Sequence, residues 1–269
     1  MIENVKQTVK FLTEKGIDSP EIGIVLGTGL GKLVEEINIK NVFEYTDIPY
    51  FPIATVEQHS GRLIYGELKG KNVIAMQGRF HFYEGYNMQE ITFPVRVMKL
   101  LGIKHLLLSN AAGALNLNFN KGSLMLIDDH INFLPDNPLR GSNYDEFGPR
   151  FPDMSQPYSK ELNTKLEAIA ARENIELHKG VYVAVVGPNL ETRAEYRFLG
   201  TIADAVGMST VPEVIVANHM KLSCAAISVL TDECDPDNLV ETSIQEIIET
   251  AGKAELKLIK LFTALINEL

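Results

Sequence analysis

Short apolar runs bounded by glycines and polar residues recur along the chain: Ile22 to Leu26, Asn72 to Met76, His105 to Ser109, Leu124 to Ile127, Val181 to Val186 and Ala225 to Leu230. Unbroken runs of this length predict strands covered on both faces. Between them the period lengthens to that of a helix, over Thr92 to Leu101, Lys160 to Glu173 and Glu191 to Ala203. Near the start, Val5, Val9 and Leu12 share one helical face. The final segment, Ile244 to Leu269, sets Ile244, Ile247, Ile248, Ala251, Leu258, Phe262 and Leu265 near one stripe, which predicts a helix docked on the sheet. Strand and helix alternating throughout predict an α/β fold. The pattern breaks once, from Asn132 to Tyr158, where five prolines stand among Phe133, Tyr144, Phe147, Phe151 and Tyr158. A flexible linker would lack those aromatics, so this stretch reads as a binding lid or subunit contact within a single domain, residues 1–269.

Composition narrows the function classes. Hydrophobic residues at 45% and charged residues at 22% exclude a collagenous, coiled-coil or largely disordered chain. With 25 basic against 35 acidic residues, the net charge of −10 argues against nucleic acid as a partner. Glu3 and the lack of a clean apolar run argue against a signal peptide or a bilayer span, so no membrane partner is expected. Cys224 and Cys234 are the only cysteines, and a reduced, cytoplasmic setting follows most simply.

Three clusters carry candidate chemistry. The run Ile22 to Leu26 enters Gly27-Thr28-Gly29-Leu30-Gly31, a turn whose backbone N–H groups can cradle an anion. Lys32 stands where a dinucleotide fingerprint needs its third glycine, and Leu26 where a nucleotide-triphosphate loop needs its first. Glycine serves a tight turn equally well, so both readings stand at this point. Next, Gln77-Gly78-Arg79-Phe80-His81-Phe82-Tyr83-Glu84-Gly85-Tyr86 follows an apolar strand, where α/β proteins place ligands, and Arg79 and His81 suit an oxyanion. Third, Glu191 in Gly187-Pro188-Asn189-Leu190-Glu191-Thr192 suits the N–H edge of a heterocycle, or merely a helix N-terminus. Asp232 also follows a buried run. Ser209 reads as a hydroxyl donor, since Val211 takes the place of a nucleophile elbow's second glycine. His59 alone beside a turn is weak, and the six scattered histidines give no metal-ligand spacing.

Taken in order, these segments resemble the trimeric purine nucleoside phosphorylases over nearly the whole chain. To those already quoted the resemblance adds His59 with Gly61-Arg62, Thr92-Phe-Pro-Val-Arg96, Asn110-Ala-Ala-Gly113, Asp129-His-Ile-Asn132, Asn137-Pro-Leu-Arg-Gly141 and Gly207-Met-Ser-Thr-Val-Pro-Glu213. The resemblance implies a mixed, twisted central sheet flanked by helices. It implies phosphorolysis of purine ribo- or deoxyribonucleosides to free base and α-pentose 1-phosphate, with inorganic phosphate as co-substrate and no cofactor or metal. By position, Thr28, His59, Arg79, His81, Ala111 and Ser209 match the phosphate shell, and Tyr83 and Met208 the ribose contacts. Phe147 matches the residue lent to a neighbouring subunit's sugar site in a homotrimer. Glu191, Asp232, Leu190 and Ala112 match the base site, with His81, Glu191 and Asp232 as the groups assigned to catalysis.

Three departures bear on specificity. Asp232 stands where 6-oxopurine enzymes commonly carry Asn, Ile244 where many carry a His near the sugar 5′-OH, and Leu190 where an aromatic is usual. An ionised Asp accepts only, which favours a 6-amino group, whereas Glu191 favours the N1–H of a 6-oxopurine. The expectation is 6-oxopurine preference with leakage toward adenine nucleosides. A methylthioadenosine or adenosine-type phosphorylase and a non-catalytic nucleoside-binding module are the alternatives.

Overall fold

A computed structural model describes residues 1–55, 60–241 and 243–269. Among these residues nine strands form one mixed sheet in the order β2-β3-β4-β1-β5-β8-β7-β6-β9: β1 (Ile22–Leu26), β2 (Asn38–Glu44), β3 (Arg62–Leu68), β4 (Lys71–Gln77), β5 (His105–Ala114), β6 (Leu124–Asn132), β7 (Leu177–Ala184), β8 (Ala205–Gly207) and β9 (Ser223–Glu233). All six expected strands are present. β5 also pairs in parallel with β9, so β5, β8, β7, β6 and β9 curl into a closed ring at one side of the sheet. Three strands escaped the hydrophobic pattern. β2 is an edge strand with mostly exposed positions, β3 is interrupted by Gly66, and β8 has only three residues.

Seven α-helices flank the sheet among the described residues: α1 (Ile2–Glu14), α2 (Met88–Ile91), α3 (Phe93–Leu101), α4 (Lys160–Arg172), α5 (Arg193–Leu199), α6 (Val211–His219) and α7 (Ile244–Asn267). α6 was not expected, because eight of its nine residues are buried and a helix apolar all round shows no amphipathic stripe. The α5 boundary moves inward from Glu191. Thr192 caps that helix, accepting from the Glu195 N–H while Glu195 accepts from the Thr192 N–H, so Glu191 lies just outside it. The Ser159 and Ser243 hydroxyls cap α4 and α7, accepting from the Leu162 and Glu246 N–H groups.

Two large apolar clusters cover the faces of the sheet. One gathers α1, α3 and α6 residues such as Leu12, Val97 and Val214; the other gathers α4 and α7 residues such as Leu166, Leu258 and Phe262. With both faces closed, a polar site is left the carboxyl ends of the strands. β1, β4, β5 and β9 run parallel there, and their last residues carry the motifs noted above.

Candidate active site

A cavity of about 260 Å³ opens at those strand ends. One end is built from the Gly27-Thr28 turn after β1, Arg79 and His81 after β4, Ala111 on β5, and Ser209 after β8. Gly27 is required there, because a Cβ would lie 2.8 Å from the Ser109 carbonyl oxygen. Gly29 adopts φ +72° and passes against Ala251 and Ile248 of α7. Glu255 of α7 accepts the Lys32 N–H at 2.6 Å, so the last helix is tied to the end of the glycine turn.

Arg79 is 1% exposed, and its position is fixed from several sides. Nη1 donates to the Ser109 carbonyl at 2.8 Å, Ser209 Oγ at 3.2 Å and Thr210 Oγ1 at 3.3 Å. Nε lies 3.1 Å from Glu213 Oε1, an ion pair buried on both sides. Thr210 also accepts from Asn110 Nδ2 at 2.9 Å. To present its hydroxyl it takes φ +67° and ψ −50°, with the Val211 N–H bonded to the Ser209 carbonyl at 2.7 Å. That is a strained γ-turn on a β-branched residue.

His81 Nδ1 lies 2.8 Å from Glu84 Oε1. Burial pushes the Glu84 carboxyl up, but bonds from His81 and Thr55 outweigh it and bring it down to about 2. An ionised carboxylate only accepts, so the proton sits on Nδ1 and Nε2 is the nitrogen able to exchange a proton with a ligand. The His81 ring stacks on Tyr83, with centroids 4.7 Å apart. Tyr83 and Met208 also line the cavity, and burial pushes the Tyr83 hydroxyl up to about 12.

The far end carries Ala112, Leu190, Glu191 and Asp232. Burial pushes the Glu191 carboxyl up; its own backbone N–H and the Tyr196 hydroxyl oppose this, and the Asp232 charge adds to it. Asp232 Oδ1 accepts from Thr231 Oγ1 at 2.8 Å and Oδ2 from Cys234 Sγ at 3.5 Å. Gly113 makes room for that group, since a Cβ there would meet Cys234 Sγ at 2.4 Å.

Nearly all the expected residues therefore meet in one cavity, with two exceptions. His59 lies outside the described residues. Phe147 does not line the cavity: it is 5% exposed and packed beside Tyr144 in its own chain, whereas Phe151 in the same loop is 87% exposed. Tyr196, Thr231 and Ile247 line the cavity without having been singled out, Tyr196 because it reads as an ordinary core aromatic of a helix. Ile244 joins Ile247 on the wall. Among the described residues, no group of three or more His, Cys, Asp or Glu is placed to hold a metal ion, and no helix is long and apolar enough to cross a membrane.

Residues 21–267 match the model of the phosphorylase superfamily. The purine nucleoside phosphorylase 1 of Bacillus subtilis is 49% identical, over 100% of this chain and 99% of its own length. The purine nucleoside phosphorylase of Mus musculus is 44% identical, over 99% and 94%. Among solved structures, isoform 2 of the Schistosoma mansoni purine nucleoside phosphorylase, in complex with cytosine and ribose-1-phosphate, superposes with a TM-score of 0.95 at 41% identity, covering 99% of this chain and 96% of that one. A second Schistosoma mansoni structure, in complex with adenosine, gives 0.94 at 39% identity, covering 100% and 98%. Fold, cavity and full-length similarity agree, and this chain belongs to the purine nucleoside phosphorylase family.

Proposed function

We propose that residues 1–269 act as one domain that cleaves purine nucleosides with inorganic phosphate, 6-oxopurines preferred, and that the cavity holds phosphate at the Arg79 end and the base at the Glu191 end. The observation that carries this reading is the make-up of the cavity lining: the buried Arg79 cation bonded to the Ser209 hydroxyl, the carboxylates of Glu191 and Asp232, and Tyr83 and Met208. The pentose is assigned to Tyr83 and Met208.

Arg79, Ser209, Thr28 and the Ala111 N–H hold the phosphate, and His81 Nε2 accepts its remaining proton or, once protonated, donates to it. A phosphate oxygen attacks the anomeric carbon as the N9–C1′ bond breaks, and the bonding pair leaves with the purine. A proton from the medium then gives the neutral base. No protein nucleophile is required. The gain comes from holding an anion beside a developing oxocarbenium cation in a fixed, partly desolvated site, for which positioning alone supplies about 7–11 kcal/mol. Glu191 accepts from N1–H of hypoxanthine or guanine. Asp232, with both oxygens already accepting from the chain, acts as an acceptor and admits some 6-amino substrate.

A second reading, preference for a 5′-thioether nucleoside, is favoured by the apolar Ile244 and Ile247 on the cavity wall. Phosphate-dependent turnover of inosine, guanosine, adenosine and methylthioadenosine, measured side by side, separates the two. Inosine and guanosine should lead; a thioether substrate ahead by orders of magnitude overturns the base assignment. Binding of nucleoside without phosphate-dependent base release would leave a binding module. No cofactor is called for in this scheme. Cys224 and Cys234, both free thiols, suit a cytoplasmic setting. The homotrimer is proposed from the family pattern, with Phe147 turning outward to a neighbouring sugar site on assembly; a monomer in sedimentation would remove that role.

A further inference from the structure

Glu191 and Asp232 lie far apart in sequence, yet one side chain neighbours both. Tyr196, in the second turn of α5, is 4% exposed and packed among Leu115, Val183, Leu199, Val206 and Cys234, so its ring is held still. Its hydroxyl lies within reach of Glu191 and also neighbours Cys234, whose sulfur reaches Asp232 Oδ2 at 3.5 Å. Burial pushes the Tyr196 hydroxyl far up, so it keeps its proton at any working pH. That single proton goes to the stronger acceptor, the Glu191 carboxylate, while the Cys234 thiol serves Asp232.

We infer that Tyr196 is a further specificity-determining residue, a positioning group that engages one oxygen of the Glu191 carboxylate and leaves the other to accept N1–H of a 6-oxopurine. The inference rests on the reading of Glu191 given above. The groups facing Glu191 are Tyr196 and Glu195 of α5 and, from β9 and the residue after it, Asp232 and Cys234. Glu195 turns back to the Thr192 N–H at 2.7 Å, so Tyr196 is the side-chain donor that favours the ionised form, beside the backbone N–H of Glu191 itself. Without it, the Glu191 backbone N–H alone opposes burial and the Asp232 charge, and the balance shifts toward a proton on Glu191. A protonated Glu191 donates, and the N1 of adenine accepts. Removing one hydroxyl thus weakens the reading of 6-oxopurines and improves that of 6-aminopurines together.

The test is Tyr196→Phe, which keeps the ring and its packing. Inosine and adenosine phosphorolysis are followed from acid to neutral pH in wild type and variant. The inosine-to-adenosine ratio of kcat/KM should fall by about tenfold or more, the scale of a hydrogen bond to a charged group. The acid limb for inosine should move to higher pH. In a Glu191→Gln background, adding Tyr196→Phe should leave the ratio nearly unchanged. If both substrates decline in step and the acid limb stays in place, Tyr196 only packs, and the inference is overturned. If wild type releases no hypoxanthine from inosine, the functional reading fails first.

Discussion

The buried Arg79–Glu213 pair gives a prediction whose size can be worked out. The two side chains are 2% and 4% exposed, with Nε 3.1 Å from Oε1. At an effective dielectric constant of about 20, that separation corresponds to roughly 5 kcal/mol of attraction. In Glu213→Ala the guanidinium stays buried. It retains its bonds to the neutral Ser109 carbonyl and to Ser209 and Thr210, but has lost its countercharge. Stranding one member of such a pair costs about 3–5 kcal/mol. At about 2–4 °C per kcal/mol for a chain of this size, the midpoint of thermal unfolding should fall by roughly 6–20 °C. Phosphate supplies a new negative partner, so saturating phosphate should raise the variant's midpoint more than wild type's. The double variant Arg79→Met with Glu213→Leu, which removes both charges, should be less damaged than Glu213→Ala alone. Calorimetry of the three proteins, with and without phosphate, checks all of this. A loss below about 1 kcal/mol for Glu213→Ala, or equal gains from phosphate in variant and wild type, would refute the view that Glu213 balances the charge of a phosphate-gripping arginine.

Other substitutions probe the rest of the cavity. Asp232→Asn supplies a donor at the base end, and Thr231 can redirect its hydroxyl to the Ala112 carbonyl, 3.3 Å away. The inosine-to-adenosine ratio should rise by about tenfold, and an unchanged ratio would show that residue 232 does not read the base. Glu191→Ala should cut inosine turnover by two orders of magnitude or more, at about 1.4 kcal/mol per tenfold, with an unaltered circular dichroism spectrum; near-normal turnover would remove its role. Glu84 sits at about 2 in the folded chain against an ordinary value near 4.3, so its stabilising effect is complete above about pH 4.5 and is lost as pH falls toward 2. The stability difference between wild type and Glu84→Gln should therefore be flat from pH 7 to 5 and shrink below pH 4. A difference that grows on acidification would contradict the assigned ionisation.

The fold was legible where burial was complete. Strands such as β1, buried at all five positions, leave an unbroken apolar run that no other element of that length imitates. β2 was not, since an exposed edge strand has little pattern to show, and neither was α6, whose periodicity is erased by burial on every side. In the site, Arg79 and His81 stood out because chemistry crowds into a few consecutive residues. Glu191 and Asp232 were readable only through the order of motifs over the whole chain, because it is the path of the chain between β7 and β9 that makes them neighbours. Tyr196 and Glu213 carried no signal of their own. One reads as a core aromatic and the other as an acid in the first turn of a helix, and only the packing shows what each of them holds.

The γ-turn at Thr210 has a consequence for how far this protein could be made more robust. Its left-handed backbone would suit glycine, whose substitution there would relieve about 1–3 kcal/mol of strain. The same substitution would strip Arg79 and Asn110 of a shared acceptor. Each buried donor left without its acceptor costs about 1–3 kcal/mol, as much as the strain relieved. Residue 210 is thus a point where backbone tension and buried hydrogen bonds compete for one side chain, and selection for heat tolerance and for turnover alike should hold the hydroxyl.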